Sequence, residues 1–418
     1  MQVPFFRPAM GAEEIEEVVR CLKSGWLTTG PVTKRFELEF AAAVGAKHAV
    51  ALNSCTAALH LAVEALGLRP GQAVLVPTMT FAATAEIVRY QGAIPVLVDC
   101  DADHLHLDLE DAERKLEALR AGRLDSRIPA GTEVVGIIPV HVGGLMLEMQ
   151  AVANFARKHR LWLVEDSAHA LPAAWRPNAA APWQRSGEGT ADVTCFSFYA
   201  NKTMTTGEGG MATTNDAALA DRMRSMSLHG LSHDAWKRYS GGAWDYRIIA
   251  PGYKYNLTDI ASAIGVHQLA RAEAMRQTRE ALAGGYRRAF EDLDELEPTP
   301  EVPNRVHSHH LFAIRLNLAK LTASRDVILQ TLKDRGVGCS MHWRPLHKHP
   351  YYEQEFGWTE AQLPIASREW QRRISLPLFP AMQADEFDYV VRTVRSTLAE
   401  FRAPQVCVGA EIGAAEAV

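Results

Sequence analysis

The sequence predicts an α/β protein, with one large domain on a mostly parallel sheet and a smaller C-terminal α+β domain. Three observations predict it. Short apolar runs without polar alternation recur between residues 73 and 198. Helical stripes lie between most of them. Around 296–306 the texture changes to a proline-rich link, EPTPEVPNR. Unalternating runs spaced by helices are the pattern of parallel strands covered on both faces.

The elements follow in order. Ile15, Val18, Val19 and Leu22 fall at i, i+3, i+4 and i+7, a helical stripe stopped by Gly25. A second helix spans Thr56 to Leu66, with stripe Leu59, Ala62, Val63, Leu66 and terminator Gly67. Strands are predicted at AVLVP (73–77), IPVLVD (94–99), VVGIIPV (134–140), LWLVED (161–166) and VTCFSF (193–198). Helices are predicted at 81–90, 109–120 and 148–159. The turn-rich 175–190 reads as a surface hairpin or loop, and a long helix covers roughly 257–290. Beyond the link, HLFAIRL, VGCSM and SLPLF read as strands, SRDVILQTLKDRG as a helix closed by Gly336, and 384–401 as a last helix. The expected division is 1–295 for the large domain with its N-terminal segment, 296–402 for the small one, and a disordered Ala/Gly-rich tail at 403–418.

Composition narrows the function. The 418 residues suit two or three domains, and 47% hydrophobic with 22% charged residues is a globular balance. The net charge of −5 leaves no basic excess for a phosphate backbone, which argues against nucleic acid as a partner. No apolar run reaches the ~18 residues of a membrane span, and MQVPFFRPAMGAEE lacks the regions of a signal peptide. The six cysteines form no CxxC pair and read as free thiols of a cytoplasmic protein.

In open α/β sheets, functional groups gather at the carboxyl ends of strands. There Asp166 ends LWLVED, His141 follows IIPV, Ser197 lies inside VTCFSF, and Lys202 comes five residues later. A desolvated lysine forms Schiff bases with carbonyls; an exposed one merely snorkels. A buried strand-end carboxylate holds a pyridine nitrogen protonated, or else caps a helix. Ser54, Cys55 and Thr56 open a helix, where free N–H groups bind anions, and Ser197 adds a hydroxyl; Ser and Thr also cap helices routinely. Phe81 offers a ring to stack on a flat cofactor, or an ordinary core contact. Each has a plain structural explanation alone. Together, phosphate cup, stacking ring, aspartate and lysine are the parts a pyridoxal 5′-phosphate (PLP) site requires.

On these residues the chain resembles the DegT/DnrJ/EryC1/StrS family of PLP-dependent sugar aminotransferases, of aspartate-aminotransferase-like fold (fold type I), over about residues 3–402. The motifs that carry the resemblance are SGWLTTGP (24–31), NSCTAALHLA (53–62), PTMTFAAT (77–84), GAIPVLVD (92–99), VEDSAHA (164–170), FSFYANKTMTTGEGG (196–210) and GYKYNLTDIASAIGVHQL (252–269). HGLSHDAWKR (229–238) followed by APGYKYNLTDI is most similar to the branch that aminates UDP-4-keto-pentose to UDP-4-amino-4-deoxy-L-arabinose. A UDP- or dTDP-4-keto-6-deoxyhexose is the alternative acceptor.

The resemblance implies roles position by position. Lys202 matches the lysine that carries the cofactor, Asp166 the partner of the ring nitrogen, and His169 the residue beside the ring and its 3-hydroxyl. Phe81 matches the stacking aromatic. Thr56, the Cys55 backbone and Ser197 match phosphate ligands. Asn256 would reach the phosphate from the second subunit of a homodimer with shared sites. The family pattern GYNYR is replaced here by Gly252-Tyr253-Lys254-Tyr255-Asn256, so Lys254 is the alternative to Asn256. The cup also departs, with Asn53 and Cys55 where glycines are common. The implied reaction is a ping-pong transfer from L-glutamate, giving 2-oxoglutarate, to a nucleotide-linked 4-keto sugar contacted by Thr29 and His310. Two rival classes are a metal enzyme, from His307, His309, His310, His342, His347 and His349, and a PLP-fold regulator without turnover. The first lacks any HExxH. The second is disfavoured by the intact Lys202 and Asp166. A nicotinamide dehydrogenase lacks its GxGxxG after the first strand.

Overall fold

A computed structural model describes residues 1–231 and 247–404. Residues 232–238 of the HGLSHDAWKR motif, and the tail from 405, lie outside the described residues.

Helix α1 (Ala12–Ser24) begins with Glu13 and Glu14 in its first turn and ends on Gly25, left-handed at φ 75°. The acidic residues oppose the positive helix end, and glycine takes the left-handed cap without strain. Its apolar stripe does not enter the core of the chain: Ile15, Val19 and Leu22 are 62, 40 and 51% exposed, while Glu14 and Cys21 are buried. Then come α2 (Pro31–Val44) and β1 (His48–Leu52), neither predicted from the sequence. The alternation follows as α3 (Cys55–Ala65), β2 (Ala73–Pro77), α4 (Ala83–Tyr90), β3 (Ile94–Val98), α5 (Leu109–Arg120), β4 (Val134–Ile137), α6 (Met149–His159) and β5 (Trp162–Asp166). A hairpin, β6 (Ala174–Trp175) with β7 (Gln184–Arg185), occupies the turn-rich segment. Next are β8 (Val193–Ser197), β9 (Gly210–Thr214) and α7 (Ala217–Met226).

The main sheet has seven strands in the order β1-β9-β8-β5-β4-β2-β3. Only β9 runs against its neighbours, β1 and β8; β8, β5, β4, β2 and β3 pair in parallel. The carboxyl ends of β2, β4, β5 and β8 therefore lie along one edge. Helix α8 (Asp259–Phe290) leads to β10 (Arg305–Val306), β11 (Phe312–Arg315), α9 (Arg325–Asp334), α10 (Pro350–Phe356), α11 (Pro364–Glu369), β12 (Arg373–Leu376) and α12 (Ala384–Glu400).

VGCSM (337–341) is not a strand, contrary to its apolar reading. It makes single bridges, Val337 to Val3 and Ser340 to Ser375. The N-terminal segment presses on it so closely that a Cβ on Gly338 would lie 2.4 Å from the Phe5 nitrogen. The largest apolar core packs the parallel strands against their helices and also takes in Leu346, Tyr352, Phe356, Trp358 and Leu363. A second core joins Val3, Tyr286 and Phe290 to β11, α9, β12 and α12.

Candidate active site

The shared strand edge opens into a cavity of about 490 Å³. Its wall brings together Cys55, Thr56, Phe81, Asp166, His169, Ser197, Lys202 and His310. These come from five separate stretches of chain, and several sit where an element begins or ends. Asp166 closes β5, Ser197 closes β8, and Cys55 and Thr56 open α3.

Asp166 is buried, and both its oxygens are engaged: Thr84 Oγ1 donates to Oδ2 at 2.8 Å and the Ala168 N–H to Oδ1 at 3.1 Å. Burial raises its pKa, opposed by those two bonds and by the Lys202 charge. Among the described residues it caps no helix. Lys202 is the complementary group. Burial lowers its pKa to about 8, against the pull of Cys55 and Asp166. Among the described residues its amine has no hydrogen-bond partner, so the nitrogen is free to react.

At the start of α3, Ser54 Oγ accepts from the Ala57 N–H at 3.0 Å. Among the described residues the N–H groups of Cys55 and Thr56 are unpartnered, at the positive end of the helix. Gly210, opening β9, lies so close that a Cβ there would come 2.4 Å from the Ser54 carbonyl carbon. Burial pushes the Cys55 thiol well up, leaving it protonated. Phe81 is 63% exposed at the cavity mouth, so it is no core residue.

His169 Nδ1 accepts from the Gly143 N–H at 3.2 Å, which puts its proton on Nε2. Its ring stacks on Trp343 at 5.1 Å and tilts against His310 at 4.1 Å. Burial lowers the pKa of His169 and His310 well below the usual histidine range, so both rings are neutral. Two buried polar atoms on the cavity wall, Asn201 Oδ1 and His310 Nδ1, have no partner among the described residues. A free amine, a satisfied but one-sided carboxylate, unpartnered helix N–H groups and these orphaned atoms form a donor set that fits PLP.

Thr29 and Asn256 are not part of this wall. Asn256 Nδ2 donates to Thr29 Oγ1 at 2.6 Å, Lys254 Nζ donates to Asn256 Oδ1 at 2.6 Å, and Thr29 and Asn256 line a different cavity of about 210 Å³. Sequence reasoning missed Thr84, Trp343 and the cavity position of His342. Thr84 had a readable signal: it lies four residues after Thr80, whose hydroxyl meets its own at 2.7 Å. The other C-terminal histidines disperse into local bonds. His347 meets the hydroxyls of Thr78 and Ser367, each at 2.8 Å, and His342 Nδ1 meets Ser375 Oγ at 2.9 Å. Among the described residues no group of three or more His, Cys, Asp or Glu could hold a metal ion. No described helix is long and apolar enough to cross a membrane.

The sequence profile described as the DegT/DnrJ/EryC1/StrS aminotransferase family matches residues 8–395. The spore coat polysaccharide biosynthesis protein SpsC of Bacillus subtilis is 43% identical over 396 residues, 94% of this chain and 96% of SpsC. Among solved structures, the PLP form of Spr1654 from Streptococcus pneumoniae superposes with a TM-score of 0.84 at 31% identity, covering 96% of this chain and 99% of that one. Helicobacter pylori PseC, an aminotransferase involved in pseudoaminic acid biosynthesis, gives 0.84 at 26% identity, covering 96% and 100%.

Proposed function

The chain belongs to the DegT/DnrJ/EryC1/StrS aminotransferase family, and we propose that it moves an amino group from L-glutamate to a nucleotide-linked 4-keto sugar. It is a PLP-dependent transaminase of fold type I. The observation that carries the proposal is Lys202: a free amine with its pKa brought down to about 8, in one cavity with Asp166.

When bound, PLP supplies an electron sink for the pair of electrons left at the donor α-carbon. The chain's own residues do the rest. Lys202 Nζ would hold the cofactor and, once displaced, would take the proton from the donor α-carbon as base and give it back on the cofactor side as acid. Its lowered pKa keeps a usable fraction of neutral amine near neutral pH. Asp166, fixed by Thr84 and the Ala168 N–H, would hold the proton on the ring nitrogen. The unpartnered N–H groups of Cys55 and Thr56, with the hydroxyls of Thr56 and Ser197, hold the phosphate. Phe81 would stack on the ring, and His169 would lie beside it.

The best-supported acceptor is UDP-4-keto-pentose, giving UDP-4-amino-4-deoxy-L-arabinose. The support is the sequence HGLSHDAWKR (229–238) followed by APGYKYNLTDI, which is most similar to the branch making that product. His310, neutral and with Nδ1 unpartnered in the cavity, is the proposed sugar contact. Thr29 and Asn256 act across a homodimer, which the exposed apolar stripe of α1 also favours. The purified protein is expected to be yellow, with borohydride fixing the cofactor on Lys202. Lys202→Ala should retain PLP only without a covalent link and lose essentially all transamination. Each of UDP-, dTDP- and GDP-linked 4-keto sugars is then offered with glutamate. A covalent adduct on another lysine overturns the site, and turnover only with a dTDP sugar overturns the acceptor.

A further inference from the structure

Behind Asp166, outside the cavity, lies a buried polar cluster with no part in the reaction as described. Successive side chains of a strand point to opposite faces, so Glu165 turns away from Asp166. Its Oε1 accepts from His141 Nε2 at 2.7 Å and lies 3.1 Å from the hydroxyls of both Ser167 and Ser186. Its Oε2 accepts from Thr194 Oγ1 at 3.2 Å. His141 is 0% exposed and Glu165 1%. Burial works to raise the Glu165 pKa; the bonds from His141, Ser167 and Ser186 outweigh it and hold the group ionised.

His141 is tied at both ring nitrogens. Nδ1 accepts from the Leu147 N–H at 3.2 Å, so the proton on Nε2 is the one given to Glu165. The His141 backbone N–H donates to the Asp166 carbonyl at 3.2 Å. One side chain thus closes the turn 141–147 on itself and fastens it to β5. That turn needs its two glycines: Gly143 has φ 66° and Gly144 φ 98°, and a Cβ on Gly144 would lie 1.8 Å from Ser308 Oγ.

The turn reaches the cavity at two places. The Gly143 N–H donates to His169 Nδ1 at 3.2 Å. The carbonyls of Gly143 and Gly144 accept from the N–H groups of Leu311 at 3.2 Å and Ser308 at 3.1 Å, either side of His310. The turn therefore decides which nitrogen of His169 keeps the proton and where His310 is carried.

We propose that His141 and Glu165 are positioning residues for the transamination: clamped together, they hold the 141–147 turn, and the turn keeps the His169 proton on Nε2. This rests on the reading of His169 as the group beside the cofactor ring, and the test separates the two.

The first readout needs no turnover. In cofactor-free protein with ¹⁵N-labelled histidine, NMR reports the His169 tautomer. The wild type should show Nε2–H alone. His141→Asn can still accept from Leu147 but cannot reach Glu165, and should give a mixture of tautomers. His141→Gln places a donor toward Glu165 and should recover the wild-type tautomer in part. In the holoenzyme, His141→Asn should lower kcat about tenfold, the scale of one hydrogen bond to a charged group, with KM little changed. In a His169→Ala background the same change should cost nothing further. An unchanged His169 tautomer in His141→Asn, or an equal fold-loss of kcat with and without His169, overturns the proposal. Should His141→Asn fail to fold, Glu165→Gln takes its place in the same comparison. A tautomer shift in a protein that transaminates nothing would instead overturn the functional reading and leave the clamp standing.

Discussion

Lys202 and Asp166 divide the electrostatics of the site between them. Folding lowers the Lys202 pKa from 10.5 to about 8. Between those values the unfolded chain binds the proton and the folded one does not, so this group's cost to stability is largest below 8 and is relieved as pH rises to 10.5. The same shift sets reactivity. In the cofactor-free protein, an amine-acylating reagent should modify Lys202 with a midpoint near pH 8, while exposed lysines titrate near ~10.4; peptide mapping reads both. A Lys202 midpoint with the exposed lysines would show that the amine is not desolvated. Asp166→Asn keeps the shape and removes the charge that holds the ring nitrogen protonated. Turnover should fall by about 10³ or more, several kcal/mol of barrier at about 1.4 per tenfold, with PLP still bound. Near-normal turnover would remove Asp166 from the mechanism. Both residues were legible because each stands at or just beyond the end of an apolar strand, where a charge has no packing reason to be. Thr84 and Trp343 were not. A threonine inside a helix and a tryptophan after a histidine look ordinary until the fold brings them to Asp166 and His169.

At the level of elements, the parallel strands β2, β3, β4, β5 and β8 could be read because each is an unbroken apolar run bounded by turns or helices. β9 could not. It reads GMATT, polar and glycine-led, yet it is wholly buried between β1 and β8. Its glycine has a steric cause, since Gly210 passes the turn that opens α3 at a distance no Cβ allows. Gly210→Ala should therefore push that turn away from the phosphate. The expected loss is about 1–3 kcal/mol of stability, the cost of overpacking, with weaker PLP retention on dialysis; thermal unfolding and cofactor content check the two. An alanine variant as stable as the parent, with full cofactor, would mean the turn yields freely. α2 carried a signal that was overlooked: Phe36, Phe40 and Val44, spaced by four, are its buried face. α1 shows the opposite lesson. Its periodicity was right, but periodicity gives a face and not what covers it, and Ile15, Val19 and Leu22 stay 40–62% exposed.

The molecule as a whole has two groups of predicted site residues. One group converges on Lys202. The other, Thr29 and Asn256 with its neighbour Lys254, is bonded together, and Thr29 and Asn256 line a separate cavity. If the second group completes the Lys202 cavity of a partner, the two defects can be placed on different chains and compensated. Lys202→Ala and an inactive Asn256→Ala protein are mixed, mildly denatured and refolded to force exchange. In a hybrid dimer one site carries both intact groups and the other carries both defects. Random exchange makes about half of all dimers hybrid, and each has one good site of two, so recovery should approach about a quarter of wild-type activity. Stability alone cannot mimic this outcome, because neither parent is active and refolding of each alone restores nothing. If exchange is verified by differently tagged chains and no activity returns, Asn256 serves its own subunit, and the 252–256 segment loses its claim on the partner's phosphate.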